Sequence, residues 1–301
     1  MQNDVLPVFL GATEGAYALC RSFYHDYGIC SLVIDEQVPP LFESTKVAAA
    51  CSFPHVAVPR ILERVLEDIH EKGRGKSLLL IPATAQYLAI VSAQRETLEK
   101  MFLMPHLPTL GAEQLLNFEP TALAFLYRSG TGDARVIYGE VCAAAASGEP
   151  LGVIASPIPQ NIEEMILADA ENLSRGCYLF YLAEKEEGIV CAREAAPLHP
   201  LMAFVTAMDA SIPEWMITET VLAETLAPKD ESLCGVFTLF SFRKTKRFMK
   251  KASQRKAKKL FRRRLATALY VKKGEAKNAE ISHVFCSMYR LFARKTKKTK
   301  K

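Results

Sequence analysis

Metal-binding and redox signatures are missing from this chain. Its eight cysteines (20, 30, 51, 142, 177, 191, 234, 286) form no CxxC pair. None stands at ligand spacing from any of the six histidines, which speaks against a Cys/His zinc site. Cysteines scattered through apolar stretches read as buried thiols in a reducing compartment, so the expected location is the cytoplasm. No unbroken apolar run reaches the ~18 residues that a spanning helix needs. The opening run Val5–Leu10 has no positive flank and is too short for a signal core, so no leader is expected. Internal repeats are lacking, as is a complete GxGxxG, and no Ser/His/Asp or Cys/His set suggests nucleophilic catalysis.

Acid is what the last fifth of the chain lacks. Residues 243–301 hold 23 Lys and Arg against two acids, Glu275 and Glu280, a balance of +21. The first 242 residues hold 15 Lys and Arg against 31 Asp and Glu, a balance of −16. An acidic body therefore precedes a strongly basic tail, and the overall +5 conceals the split. Such a tail is built to meet an anionic surface.

The 301 residues suggest about two domains. Val5–Leu10 reads as a strand ending at Gly11, followed by a helix with Ala16, Leu19, Cys20 and Phe23 on one face. Ser31–Asp35 is a second strand, and Pro59–His70 has the spacing of an amphipathic helix. Leu78–Ile81, apolar at every position, reads as a parallel strand covered on both faces. Residues 1–104 are thus expected to form a small doubly wound α/β domain. Residues 105–120 read as a linker. Residues 121–242 group into an antiparallel α+β pattern: strands at Val136–Val141 and Leu151–Ala155, a helix at Gln160–Arg175 and a hairpin at Cys177–Leu182 and Gly188–Cys191. Residues 243–301 read as basic amphipathic helices, the first over Arg243–Lys273.

The stretch VFLGATEGAYALCRSFYHDYGICSLVID resembles the first βαβ of the ATP-grasp superfamily, in particular carboxylate–amine ligases of the D-aspartate ligase type. Leu78–Pro105 is similar to their third strand and following helix, and Phe125–Ala155 to the strand, Gly-Asp loop and hairpin beyond the nucleotide site. Gly176–Pro213 resembles their metal-binding hairpin and the helix after it. The resemblance implies a pre-ATP-grasp domain, a truncated ATP-grasp domain with residues 105–120 in place of a lost lobe, and a basic tail. It also implies ATP and magnesium as cofactors if the site is active. Gly11, Thr13, Glu14, Arg21, Asp133 and Gln160 are then the candidate cofactor-binding residues, and Glu194 the candidate metal ligand.

The departures point the other way. The family's metal positions fall on Tyr181, Glu194 and Ala196, and a later arginine position on Leu198. Only Glu194 is an acid, whereas Mg²⁺ wants several oxygen ligands. Phosphoryl transfer is mostly positioning and charge neutralisation, so a degenerate binding or scaffolding module is the favoured expectation. An active ligase forming an acyl phosphate is the alternative. Bland readings stand beside each site: a tight βα turn at Gly11–Gly15, a solvated Asp35, a surface Arg21, an ion-paired Glu194. For the tail, three readings remain open. Its Phe and Leu residues can enter a membrane interface at the inner face, with lysines at the headgroups. They can instead pack on the acidic body, or the charge can serve a nucleic acid. Nothing in the residues designates a protein partner.

Overall fold

The computed structural model describes residues 4–42, 45–106, 119–130, 134–186, 188–195, 205, 211–222, 236–240, 245–249, 251–262 and 266–270. Two compact units emerge. The first comprises residues 1–107, 197–200 and 211–228, and the second the remainder. The helix at Ile212–Thr220, within the stretch read as the second domain, accordingly sits in the first unit.

In the first unit, β1 (Val5–Leu10), β2 (Ser31–Asp35), β3 (Ala48–Ser52) and β4 (Ser77–Pro82) form one parallel sheet in the order β3-β2-β1-β4. Helices α1 (Glu14–Tyr27), α2 (Pro59–Lys72), α3 (Ala85–Ala93) and α4 (Arg95–Leu98) connect and cover it. Val8, Leu10, Ile34, Leu78 and Leu80 point into one core with Leu62 and Leu66 of α2 and Tyr87 and Val91 of α3. Alternation sends Phe9, Val33, Leu79 and Ile81 to the opposite face, and all four are buried. Both faces are therefore covered, which is why these strands carry continuous apolar runs. Thr13 starts α1 by accepting a hydrogen bond from Ala16 N, and Gly28, at φ 70°, ends it with its N–H on Tyr24 O. Helix α5 (Ile212–Thr220) packs on α1.

In the second unit, β5 (Ala122–Arg128), β6 (Ala134–Ala144), β7 (Pro150–Ala155), β8 (Gly176–Lys185), β9 (Gly188–Ala195), β10 (Val236–Phe240) and β11 (Ala266–Tyr270) form a seven-stranded sheet. Its order is β11-β10-β7-β6-β5-β8-β9, and every pair but β10–β11 is antiparallel. Helix α6 (Gln160–Ala170) lays Ile162 and Ile166 on Ala124, Leu126, Tyr178 and Phe180. It stops short of the expected Arg175. Its last carbonyl, Ala170 O, and the following Leu173 O both accept from the guanidinium of Arg128, a positive charge that favours the negative end of the helix.

The expectation of a purely helical tail is corrected. Helix α7 spans Lys251–Arg262, after a short 3-10 turn at Lys246–Phe248. Ala266–Tyr270, read as helix, is instead strand β11, running parallel to β10. A six-residue apolar run such as LATALY suits either state, and pairing with an available sheet edge decides it. Met249 also bridges Ala143 of β6, so residues up to 270 belong to the second unit's fold. Residues 271–301, the expected second tail helix among them, lie outside the described residues.

Candidate functional site

The carboxyl ends of β1, β2 and β4 meet where an open α/β sheet ordinarily binds its ligand. Gly11 turns the chain at φ 106° and donates its N–H to Ile34 O at 2.8 Å. A Cβ at this position would lie 2.9 Å from Thr84 Cγ2, so glycine is required for close packing as well as for backbone conformation. The next N–H, that of Ala12, donates to Asp35 Oδ2 at 2.7 Å. Asp35 Oδ1 accepts from Glu36 N at 2.7 Å and from the Tyr87 hydroxyl at 3.2 Å. The turn thus already holds an anion, the protein's own carboxylate. At the start of α1, the Thr13 hydroxyl takes the donor of Ala16.

Gly11, Thr13 and Glu14 are brought together in this turn, with Glu14 exposed in the first turn of α1. Arg21 lies seven residues on, roughly 10 Å along the helix axis at 1.5 Å per residue, with its guanidinium 6.0 Å from the centre of the Tyr17 ring. Gln160 opens α6 in the other unit, where its amide donates to Glu164 Oε1 at 2.8 Å as an exposed i,i+4 pair. Asp133 lies outside the described residues.

The hairpin of β8 and β9 carries the expected metal positions. Its register sets Glu194 opposite Leu179 and Ala192 opposite Tyr181. Tyr181 and Glu194 therefore hold positions on one face of the strand pair, together with Leu179, Ala183, Val190 and Ala192. Tyr181 is 5% exposed and is flanked on β5 by the fully buried Leu123. Among the described residues, no three His, Cys, Asp or Glu side chains come together as a metal-holding group. Ala196 and Leu198 lie outside those residues. On the opposite face, Arg193 pairs with Asp169 of α6.

Tyr87 was not legible as a partner of Asp35, because 52 residues separate the two. The one available signal is Thr84, a helix cap directly after an apolar strand, whose hydroxyl accepts from Tyr87 N at 3.2 Å. Burial first, then the charge of Asp35, raises the Tyr87 phenol above its ordinary value. A raised phenol is neutral in the folded state. The stability it contributes is full below the ordinary 10.0 and is lost as pH climbs beyond that value. Urea midpoints followed from pH 8 to pH 11 are expected to fall at the alkaline end, less steeply in Tyr87→Phe. An unchanged slope would remove Tyr87 from the effect.

No protein-family model matches the chain. Over 118 residues, 38% of its length, the chain is 26% identical to a D-aspartate ligase of Enterococcus faecium (strain Aus0004), and the match spans 28% of that relative. The biotin carboxylase subunit of pyruvate carboxylase is similar in structure, with a TM-score of 0.50 and 11% identity over 76% of this chain and 73% of that one. An L-amino acid ligase from Bacillus licheniformis is similar at a TM-score of 0.47 and 8% identity, over 73% and 75% of the two chains. The likeness to the pyruvate carboxylase subunit shows a shared fold.

Proposed function

We propose that the chain, which is similar to a D-aspartate ligase over part of its length, is a catalytically degenerate relative of the ATP-grasp carboxylate–amine ligases. It acts as a binding or scaffolding module at an anionic surface, a membrane in the first instance, through residues 243–301. The observation that carries the first half is the face shared by Tyr181 and Glu194. Around one carboxylate position it offers a buried phenol, Leu179, Val190 and two alanines. Magnesium takes six oxygen ligands in near-octahedral order and commonly uses one or two carboxylates beside substrate phosphates. The described residues of this face do not fit that ion. The Gly11 turn supports the same reading, since the Ala12 N–H that could meet a phosphate is held by Asp35.

The second half rests on charge. A balance of +21 over residues 243–301 attracts anionic headgroups, at about 1 kcal/mol for each Lys or Arg near the surface. No helix among the described residues is long and apolar enough to cross a membrane.

Calorimetric titration with magnesium-ATP tests the loss of catalysis. No saturable heat is expected at millimolar nucleotide. A saturable isotherm that disappears in Glu194→Gln would restore the active ligase, with ATP and magnesium as its cofactors.

A further inference from the structure

We propose that the exposed stripe of Lys251, Arg255, Lys258 and Lys259 on α7, with Lys246, Arg247 and Phe248 just before it in the chain, is a preformed docking face for an anionic lipid surface. It deepens the anionic-surface reading above and rests on it. Helix α7 has two unlike sides. Ala257 and Leu260 are buried in the second unit, while Lys251, Arg255, Lys258 and Lys259 are exposed. Their offsets of four, seven and eight residues set the four bases on one side of the helix, over roughly 12 Å. Of the readings left open for the apolar side of α7, packing on the protein's own body is the one that Ala257 and Leu260 follow. What faces outward is charge.

The stripe works against its own helix. Lys251 and Arg255, and Arg255 and Lys259, are like-charge pairs at i,i+4, which destabilise a helix. Lys251 also stands at the positive end of the helix dipole, and no residue of Lys251–Arg262 is acidic. One acid of the body reaches in: Glu140 Oε2 lies 3.9 Å from Lys256 Nζ, while its Oε1 accepts from Ser156. An external layer of negative charge would relieve the remaining repulsion.

Phe248 is 52% exposed, the most exposed large hydrophobic side chain among the described residues. It follows the exposed Lys246 and Arg247 in the 3-10 turn just before α7. An aromatic ring flanked by long basic side chains is the arrangement that sits at a headgroup boundary. The composition favours lipid over nucleic acid. Among the described residues of 246–259, seven bases are exposed and five of them are lysines, which act as hydrated point charges rather than as the planar forks that grip phosphates bidentately. A single exposed ring also cannot stack successive bases.

Co-sedimentation of the full-length chain with phosphatidylserine-containing and with neutral phosphatidylcholine vesicles, at low and high salt, tests the proposal. Replacing Lys251, Lys258 and Lys259 by glutamine is expected to weaken low-salt binding about a hundredfold, at roughly fivefold per lysine. Phe248→Ala should keep most low-salt binding and lose the fraction that survives high salt, because insertion of a ring is not screened. All four side chains are exposed, so circular dichroism should match the parent. If the parent binds and both variants bind equally well, the docking face lies elsewhere and the proposal fails while the anionic-surface reading stands. If the parent ignores anionic vesicles, that reading itself fails. Retention of an oligonucleotide by the parent without vesicle binding, lost in the triple variant, would give the face to nucleic acid and overturn the lipid assignment.

Discussion

Replacing Trp215 by alanine is expected to lower the stability of the first unit by about 3–5 kcal/mol, the range for truncating a fully buried large aromatic. Trp215 is 1% exposed and sits in the middle of α5, the helix that packs on α1. Removing the indole would leave a cavity beside a helix whose position is otherwise pinned. Ser211, the cap of α5, accepts from Glu214 N and donates to Asp26 of α1, which resists inward collapse. A domain of this size has only about 5–15 kcal/mol in total, so the variant should melt well below the parent. Trp215→Phe should recover much of the loss, because a smaller ring still fills most of the space. Tryptophan fluorescence vanishes in both variants, so the unfolding midpoint has to be read by circular dichroism in urea. A midpoint in Trp215→Ala within experimental error of the parent would show that α5 contributes nothing to the unit.

Where burial on both faces dictates composition, the fold was legible. Val5–Leu10 and Ser31–Asp35 were read at the bounds they adopt, and Leu78–Ile81 lies inside β4. The predicted face of α1, with Ala16, Leu19, Cys20 and Phe23, is buried throughout. Strand β3 escaped notice. Its sequence AAACS has neither branched nor aromatic residues, and only its ladder with β2 makes it a strand. At the site, the local signals at Gly11 and Thr13 were visible and their partners were not. Asp35 completes the turn from 23 residues away and Tyr87 from farther still, and pattern reading does not reach over such separations. The tail shows the same limit in reverse. Basic amphipathic spacing predicted a helix over Arg243–Lys273, of which Lys251–Arg262 is helix and Ala266–Tyr270 a strand, and spacing carries no information on whether an apolar side faces lipid or the protein's own sheet.

That last point determines the outcome of truncation. On sequence alone, removing residues 243–301 should leave a folded body, since the strands recognised there lie upstream. The structure leads to the opposite expectation. The cut strips β11 from β10 and removes Met249, Ala257 and Leu260 from the second unit, where each is buried. Burying a Met or Leu side chain is worth about 1.5–3 kcal/mol. Losing these side chains together with a strand ladder therefore removes on the order of 5 kcal/mol, comparable with the whole stability of a marginal domain. Val236, Phe237 and Thr238 of β10, now fully buried, would be left on an uncovered sheet edge. Hydrogen exchange should show it first. Amides of β10 are expected to lose protection in the truncated chain, and the urea midpoint of the second unit should drop with them, while amides of β1 and β4 in the first unit hold. Equal protection of β10 in both chains would mean that α7 and β11 are dispensable to the sheet. If the expected loss is seen, vesicle binding by the truncated chain cannot separate a missing docking face from a damaged unit. The exposed-residue substitutions at Lys251, Lys258, Lys259 and Phe248 then become the decisive test of what the basic end of the chain is for.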